Sequence, residues 1–259
     1  MRGLRASVVL LIMACALMYP LIDVIVGSFR VGGTGAWTLL YWHEVFRQVP
    51  VWPELEMSAI VSVASVVGVL LVAVPGGYAF AKLRFRGAGV ALAVCVGCMM
   101  IPLESIIIPE YTNLVRVGLV GTVQGTVLVG MGVGTPLAVF LMTSYFRGLP
   151  DSLVEAALVD GAGQLKVFFR IMLPLAVPAL VTVAVLQFLS VWNDLLIALL
   201  FLPAQSRTIA VGLAALQGDH VLNTNVLVAG SVLSAIPPML VYLAFQRYLV
   251  SGLTMGVAK

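Results

Sequence analysis

Six long apolar runs, at roughly 7–29, 57–81, 88–109, 120–146, 174–203 and 226–246, constrain this chain more than any other feature. Each is long enough for a helix to cross a hydrocarbon layer about 30 Å thick, which takes about 20 residues. A helix on the surface of a soluble bundle would carry a polar stripe, and these runs are apolar on every side. Lipid is therefore the solvent to which the sequence is adapted. Composition agrees: 61% of residues are hydrophobic and 10% charged, where a soluble domain has about 25% charged. The expected fold class is an all-α integral membrane protein with six transmembrane helices in a lipid bilayer. A secreted enzyme and a protein with a single anchor are excluded. Prolines inside the runs (Pro20, Pro75, Pro136, Pro178, Pro237) are compatible with this, because neighbouring helices can satisfy the backbone groups a proline frees.

The net charge of +3 says less than the placement of the cations. With a cytoplasmic N-terminus, the inner segments hold Arg2, Arg5, Lys82, Arg84, Arg86, Arg147, Lys166, Arg170, Arg247 and Lys259, and the outer ones Arg30, Arg47, Arg116 and Arg207. Ten against four fits the excess of Lys and Arg in cytoplasmic loops, and places both termini inside. These cations orient helices, and no nucleic-acid partner is expected. Ile12-Met13-Ala14-Cys15 loosely resembles a lipoprotein processing box, yet apolar character continues to Phe29. An uncleaved first span is expected instead.

Several enzyme classes lack their residues. A phosphate-cradling loop needs Gly-Lys-Ser/Thr, and none of Lys82, Lys166 or Lys259 follows Gly or precedes Ser or Thr. Nucleotide hydrolysis would have to come from another chain. His43 and His220 form no His-Glu-x-x-His pair, and no serine sits in Gly-x-Ser-x-Gly, so zinc and serine hydrolases lose their usual signatures. Cys95-Val96-Gly97-Cys98 could in principle support thiol exchange, which makes a membrane thiol oxidoreductase the alternative from a different class. The pair lies in an apolar run with no neighbouring cation to stabilise a thiolate, and Cys15, Cys95 and Cys98 are expected as free thiols without a disulfide framework. No cofactor or metal is expected.

Polar groups inside a membrane are costly and tend to mark pathways or partners. The candidates are Asp23, Glu104, Glu110, Gln187, Asn193 and Asp194. Gln187 and Asn193 lie six apart, off the three-or-four spacing that shares a helix face. Gly121-x3-Gly125 and Gly130-x3-Gly134 are spaced for close approach of another helix.

Between the fourth and fifth runs lies a long charged segment, Arg147 to Pro174, that reads as two short helices around a turn. Asp151 is placed to cap the first, Glu155 favours its positive end, and Gly161 or Gly163 can adopt the left-handed conformation that stops it. Pro174 is placed to start the next span, where a missing N–H costs least. A structured, charged loop on the inner face is expected to be a docking element.

The order Glu155-Ala156-Ala157, Gly161, Ile171, Leu173-Pro174 resembles the EAA loop of membrane subunits of binding-protein-dependent ABC importers. Flanking features resemble the carbohydrate, MalG-like branch: Pro102 with Ile108-Pro109-Glu110-Tyr111, Gly118-Leu119, Trp192-Asn193-Asp194, Thr208 with Val211-Gly212-Leu213, and Gln246-Arg247-Tyr248 with Gly252-Leu253-Thr254. The Gly-Ala-Val-Lys ending of that family here reads Gly256-Val257-Ala258-Lys259. The resemblance implies a five-helix type I permease core at 57–259, carrying a coupling loop at 147–174. The first helix and outer loop, 1–56, would be an N-terminal addition.

By resemblance the chain is a sugar-import permease of the bacterial inner membrane that works by alternating access. It would pair with a second, MalF-like permease subunit, an ATP-binding-cassette ATPase dimer and an extracytoplasmic sugar-binding protein. Glu155, Ala156, Ala157, Asp160, Gly161, Ile171, Leu173 and Pro174 would couple to the ATPase. Gln187, Trp192, Asn193 and Asp194 would line the carbohydrate pathway. The same machinery for another solute, such as an amino acid or phosphate, is the nearest alternative.

Overall fold

The structure is a computed structural model and describes residues 2–31, 35–203, 205–216 and 224–254. Thirteen named α-helices run through it: α1 (Arg2–Gly27), α2 (Leu40–Gln48), α3 (Val51–Lys82), α4 (Ala88–Gly97), α5 (Leu103–Arg116), α6 (Val123–Gly148) and α7 (Ser152–Val159), then α8 (Gln164–Val167), α9 (Leu173–Leu175), α10 (Val177–Trp192), α11 (Leu196–Phe201), α12 (Ile209–Ala215) and α13 (Thr224–Thr254). A 3-10 turn, Cys98–Met100, follows α4, and a π-turn, Phe168–Met172, joins α8 to α9. Among the described residues the extended structure is an isolated antiparallel bridge between Arg30 and Trp37.

Among the described residues, four helices are long and apolar enough to cross a membrane: α1, α3, α6 and α13. Two bent pairs raise the number to six if each is one span. The first pair corrects the expectation of a continuous helix at 88–109. The chain turns by 104° between the α4 segment and α5, because Pro102 has no N–H to continue the ladder and drives Ile101 into extended backbone (φ −86°, ψ 116°). The second pair corrects 174–203. Gln164–Leu175 and α10 meet at 71°, α10 ends at Trp192, and α11 is a separate short helix. Pro174 therefore lies within α9 and does not open a span. Pro178, in the first turn of α10, takes that position. The second span also starts earlier than expected, at Val51.

Helices α3 and α6 form the most extensive pair, α10 packs on both, and α13 lies on α10. Lipid is as apolar as leucine, so close fit and not water exclusion holds such helices together. Gly77 shows what the fit requires: a Cβ there would meet the Cβ and backbone of Met142. Met142 and Phe146 are fully buried beside it in a core shared with Tyr78, Val139, Val167, Phe168 and Met172. Outward residues such as Leu71 and Val90 are more than two-thirds exposed, as a lipid-facing surface requires. Helix α1 stands at the margin, in contact with α13.

The expected close approach at Gly130-x3-Gly134 is present. Gly130 faces Ser65 of α3, and Gly134 is filled by the Gln187 side chain of α10. The other pair acts differently: Gly121 turns the chain before α6 (φ +72°), and Gly125 sits against the Leu119 carbonyl.

Candidate functional site

At one end of the bundle, the 147–174 segment folds as two short helices around a turn. Glu155 lies in the first turn of α7, and Gly161 (φ +78°) ends the helix. Gly161 N–H donates to Leu158 O (3.0 Å) and Ala162 N–H to Ala157 O (2.9 Å). This pairing satisfies carbonyls that a helix end would otherwise leave open, and it needs a left-handed residue. Gly163 is extended (φ −71°) and precedes α8, so Gly161 is the stop.

Asp151 does not cap α7 as expected. It has helical backbone and accepts no cap hydrogen bond from α7. Its carboxylate instead accepts from Lys82 Nζ (2.5 Å), which also donates to Leu149 O (2.6 Å). The hydrogen bond from Lys82, reinforced by its charge, holds the Asp151 carboxyl below the usual carboxylate range. The Lys82 side chain is only 3% exposed, so the last turn of α3 is tied to the point where α6 hands over to the loop.

The second half of the loop is held from beneath. Tyr78 Oη donates to Gln164 Oε1 (3.3 Å), Tyr145 Oη donates to Leu175 O (2.9 Å), and the Tyr78 ring packs against Phe146 and Phe168. Below, Val154, Ala157, Val167 and Phe168 are buried in the bundle core.

This arrangement divides the sequence-predicted loop residues into two sets. Glu155, Ala156, Asp160, Gly161 and Pro174 are exposed, Ile171 and Leu173 are half-buried, and Ala157 faces this chain's own core. Sequence reasoning missed the apolar part of the exposed face: Leu158, Val159 (87% exposed), Leu165 and Phe169. Their signal was present as apolar residues interleaved with Glu155, Asp160, Lys166 and Arg170 in a charged segment.

The four candidate pathway residues do not converge. Gln187 Nε2 donates across the helix pair to Gly130 O (3.0 Å). Trp192 stacks on Phe188 and donates to Ser234 O of α13 (3.1 Å). Asn193 is exposed and donates back to Leu189 O, while Asp194 accepts from Ile197 N–H (2.6 Å) at the start of α11. Asp194 nevertheless lines a cavity with Ser58, Thr126, Ser190 and Thr208, and Gln187 lines an adjoining one that shares Ser190. Of the other polar candidates, Asp23 and Glu104 are exposed and Glu110 is half-buried. The family's tail residues, 255–259, lie outside the described residues.

A further polar row runs along α3: Glu54, Ser58, Ser62 and Ser65, all buried. Spacings of four, four and three put them on one face. Ser58 Oγ donates to Glu54 O (2.8 Å) and accepts from Ile209 N–H (2.9 Å). Among the described residues, Glu54 Oε2, Ser62 Oγ, Ser65 Oγ and Thr208 Oγ1 have no hydrogen-bond partner. The first residue of this row was hidden because the sequence reading put 30–56 in an outer loop.

Broken and unbroken apolar helices of membrane-spanning length, with a structured loop at one end, make this a multi-pass membrane protein. The chain belongs to the binding-protein-dependent transport system inner membrane component family, which it matches over residues 73–255. It is 34% identical to the osmoprotective compounds uptake permease protein GgtD of Synechocystis, over 93% of this chain and 87% of that one. It is 33% identical to the trehalose/maltose transport system permease protein MalG of Thermococcus litoralis, over 96% of this chain and 94% of that one. Among solved structures, a bacterial ABC transporter involved in the import of the polysaccharide alginate superposes with a TM-score of 0.78 at 27% identity, covering 95% of each chain. These likenesses favour a transport permease over the thiol oxidoreductase alternative. Cys95 is half-buried and Cys98 exposed, both free.

Proposed function

We propose that this chain is a permease subunit of a sugar importer, supplying half of the translocation path and taking its energy from a separate ATPase. The observation that carries the reading is the exposed face of the 147–174 loop. Glu155, Val159, Leu165 and Phe169 project from a segment whose other side is locked into the core. An apolar face ringed by charge on a firmly anchored element is suited to receive force from a partner. Glu155 pairs with a basic group in a cleft of the ATPase, and Val159 and Leu165 fill its apolar floor.

In this reading the loop and both termini are cytoplasmic, and the bacterial inner membrane is the location. Closure of an ATPase dimer draws this loop and that of a second, MalF-like permease together and turns the halves from inward-open to outward-open. A sugar-binding protein docking on the far side favours the same state, so each partner acts by stabilising one of two conformations. Residues 57–259 form the translocating core. Residues 1–56 are an addition joined to it where Tyr41 and Val45 of α2 pack with Ile209, Val226 and Leu233.

Two experiments test this. Affinity purification of the tagged chain is expected to recover an ATPase, a second permease and a binding protein, and its host to lose ATP-dependent uptake of maltose, trehalose or arabino-oligosaccharides when the chain is deleted. Recovery of the chain alone, or uptake that survives deletion, overturns the reading. Within the path, Asp194→Ala is expected to lower the maximal uptake rate severalfold by opening the start of α11 and altering the cavity it lines. Asn193→Ala is expected to change little, because that side chain is spent on the Leu189 carbonyl of its own helix and lines neither cavity. Equal effects of the two would put Asn193 in the path as well.

A further inference from the structure

The end of the bundle away from the coupling loop carries an aromatic surface that the transport reading leaves without a role. It lies between the two spans α1 and α3, in the segment that holds the short helix α2. Trp37, Leu39, Leu40, Phe46 and Trp52 are all exposed there, Trp52 by 73%. The same segment turns Tyr41, Val45 and Val49 inward, against Ile209 of α12 and Val226 and Leu233 of α13. One apolar face of the segment is thus seated in the bundle, and a second one is open.

Helix α3 fixes the depth of the open face. Trp52, Glu56, Ile60, Val63, Val67 and Leu71 are exposed and recur every three or four residues, so they share one side of the helix. From Ile60 onward that side is apolar, as contact with lipid chains requires, and Glu56 interrupts it one turn before. A carboxylate is costly in hydrocarbon, which puts the edge of the apolar layer between Glu56 and Ile60, with Trp52 beyond it. Length agrees. Helix α3 has 32 residues, about 48 Å at 1.5 Å per residue, against about 30 Å of hydrocarbon and about 40–45 Å of bilayer with its headgroups. Its first turn therefore lies in the headgroup layer. Helix α1 ends in the same way, with exposed Asp23 one turn before Gly27.

The side chains at that depth suit a layer that is apolar on one side and charged on the other. The Phe46 ring lies 6.3 Å from the Trp52 ring, which holds α2 at the same level. The Arg30 guanidinium lies over the Trp37 ring, 5.0 Å from its centre, and Arg47 projects from the exposed side of α2 beside Glu44. Tryptophan is favoured at headgroup level because its ring is amphipathic. Arginine suits the same boundary, with its stem along apolar surface and its charged head among polar groups.

We infer that the segment from Trp37 to Trp52, with Arg30, is a collar seated in the phospholipid headgroup layer, and that its partner is lipid and not a docking protein. Continuity selects the partner. Trp52 tops the same side of α3 that meets the lipid chains below it, whereas a protein docking from water would approach the end of the bundle. Trp37 and Trp52 lie among glycerol and phosphate groups, Arg30 donates to a phosphate oxygen, and Leu39, Leu40 and Phe46 rest on the ends of the acyl chains. Through Tyr41, Val45 and Val49 the collar holds α12 and α13 at a fixed height in the membrane. The inference needs only that the chain spans a bilayer, and it stands whether or not the cargo is a sugar.

The test uses the complete transporter in nanodiscs whose lipids carry bromine either near the headgroups or midway along the chains. The emission lost in Trp37→Phe and in Trp52→Phe, relative to wild type, isolates the fluorescence of each ring. Both rings are exposed, so neither replacement threatens the fold. Shallow bromine is expected to quench each ring about twofold more than deep bromine, because a tryptophan at headgroup level lies nearer to it. Aqueous iodide is expected to quench each ring severalfold less than it quenches free tryptophan. Three results, in either ring, would overturn the collar. Full iodide quenching without bromine quenching would leave the face in water, open to a docking protein. Stronger quenching by deep bromine would place it in the hydrocarbon. Protection from every quencher would mean that a protein surface, such as that of a second permease, covers it.

Discussion

Gly161→Val is expected to reduce uptake by tenfold or more while the chain still inserts and accumulates in the membrane. The reason is local. Gly161 sits at φ +78° with two hydrogen bonds closing the end of α7 around it, and a residue with a Cβ pays about 1–2 kcal/mol in the left-handed region. The least costly relief is to unwind the last turn, which displaces Val159 and Asp160 from the face the ATPase is proposed to grip. Severity should follow tolerance of that conformation: Asn mildest, Ala intermediate, Val worst. Glu155→Lys is expected to give a loss of the same order by another route, since it leaves the turn intact and reverses the charge offered to the partner. Uptake rates and recovery of the ATPase on a tagged chain measure both. Wild-type values in Gly161→Val and Glu155→Lys would remove the coupling role. A ranking that followed side-chain volume instead, with Asn no better than Val, would show that space and not backbone conformation decides at Gly161.

The parts of this fold legible in sequence are those governed by one-dimensional patterns. Long apolar runs announced the spans because six stretches of about 20 apolar residues are more than the core of a soluble chain this size can bury, and Gly161 was a candidate stop because few residues accept its backbone angles. The breaks were less legible. Pro102 and Pro178 divide helices, while Pro75, Pro136 and Pro237 lie inside unbroken ones. The residue type is the same, and the difference lies in whether neighbouring helices support a continuous axis. Side-chain partners were the least legible. Asp151 has the sequence position of a cap, yet a lysine 69 residues earlier claims its carboxylate. Gln187 looked like a path residue, and half of its role is to hold α10 against the Gly130 carbonyl. Glu54 became visible only when α3 was seen to begin at Val51.

Lys82→Met is expected to uncouple the transporter, so that less sugar moves per ATP hydrolysed, by severalfold, with little loss of ATPase binding. Methionine keeps the buried stem and removes the ammonium. Two bonds then disappear: the one to Leu149 O, of a kind worth about 1.5–3 kcal/mol because the donor is charged, and the one to Asp151. The exposed face of the loop stays as it was, so the partner still docks. The tie between the loop's entry and the far-reaching α3 is what is lost. Lys82→Arg should restore part of the ratio, since a guanidinium can still donate to both acceptors. Proton uptake by Asp151 offers a second handle, with a definite sign. Its carboxyl is held below the ordinary value of 3.8 by Lys82. The anchoring is therefore complete above pH 3.8 and fades as the pH falls through the lowered value. Around neutral pH the Asp151 carboxyl therefore stays ionised, and greater susceptibility of the loop to protease in Lys82→Met than in wild type is the expected sign of the lost tie. A transport-to-hydrolysis ratio unchanged in Lys82→Met would mean that force reaches the bundle through the Tyr78 and Tyr145 contacts alone.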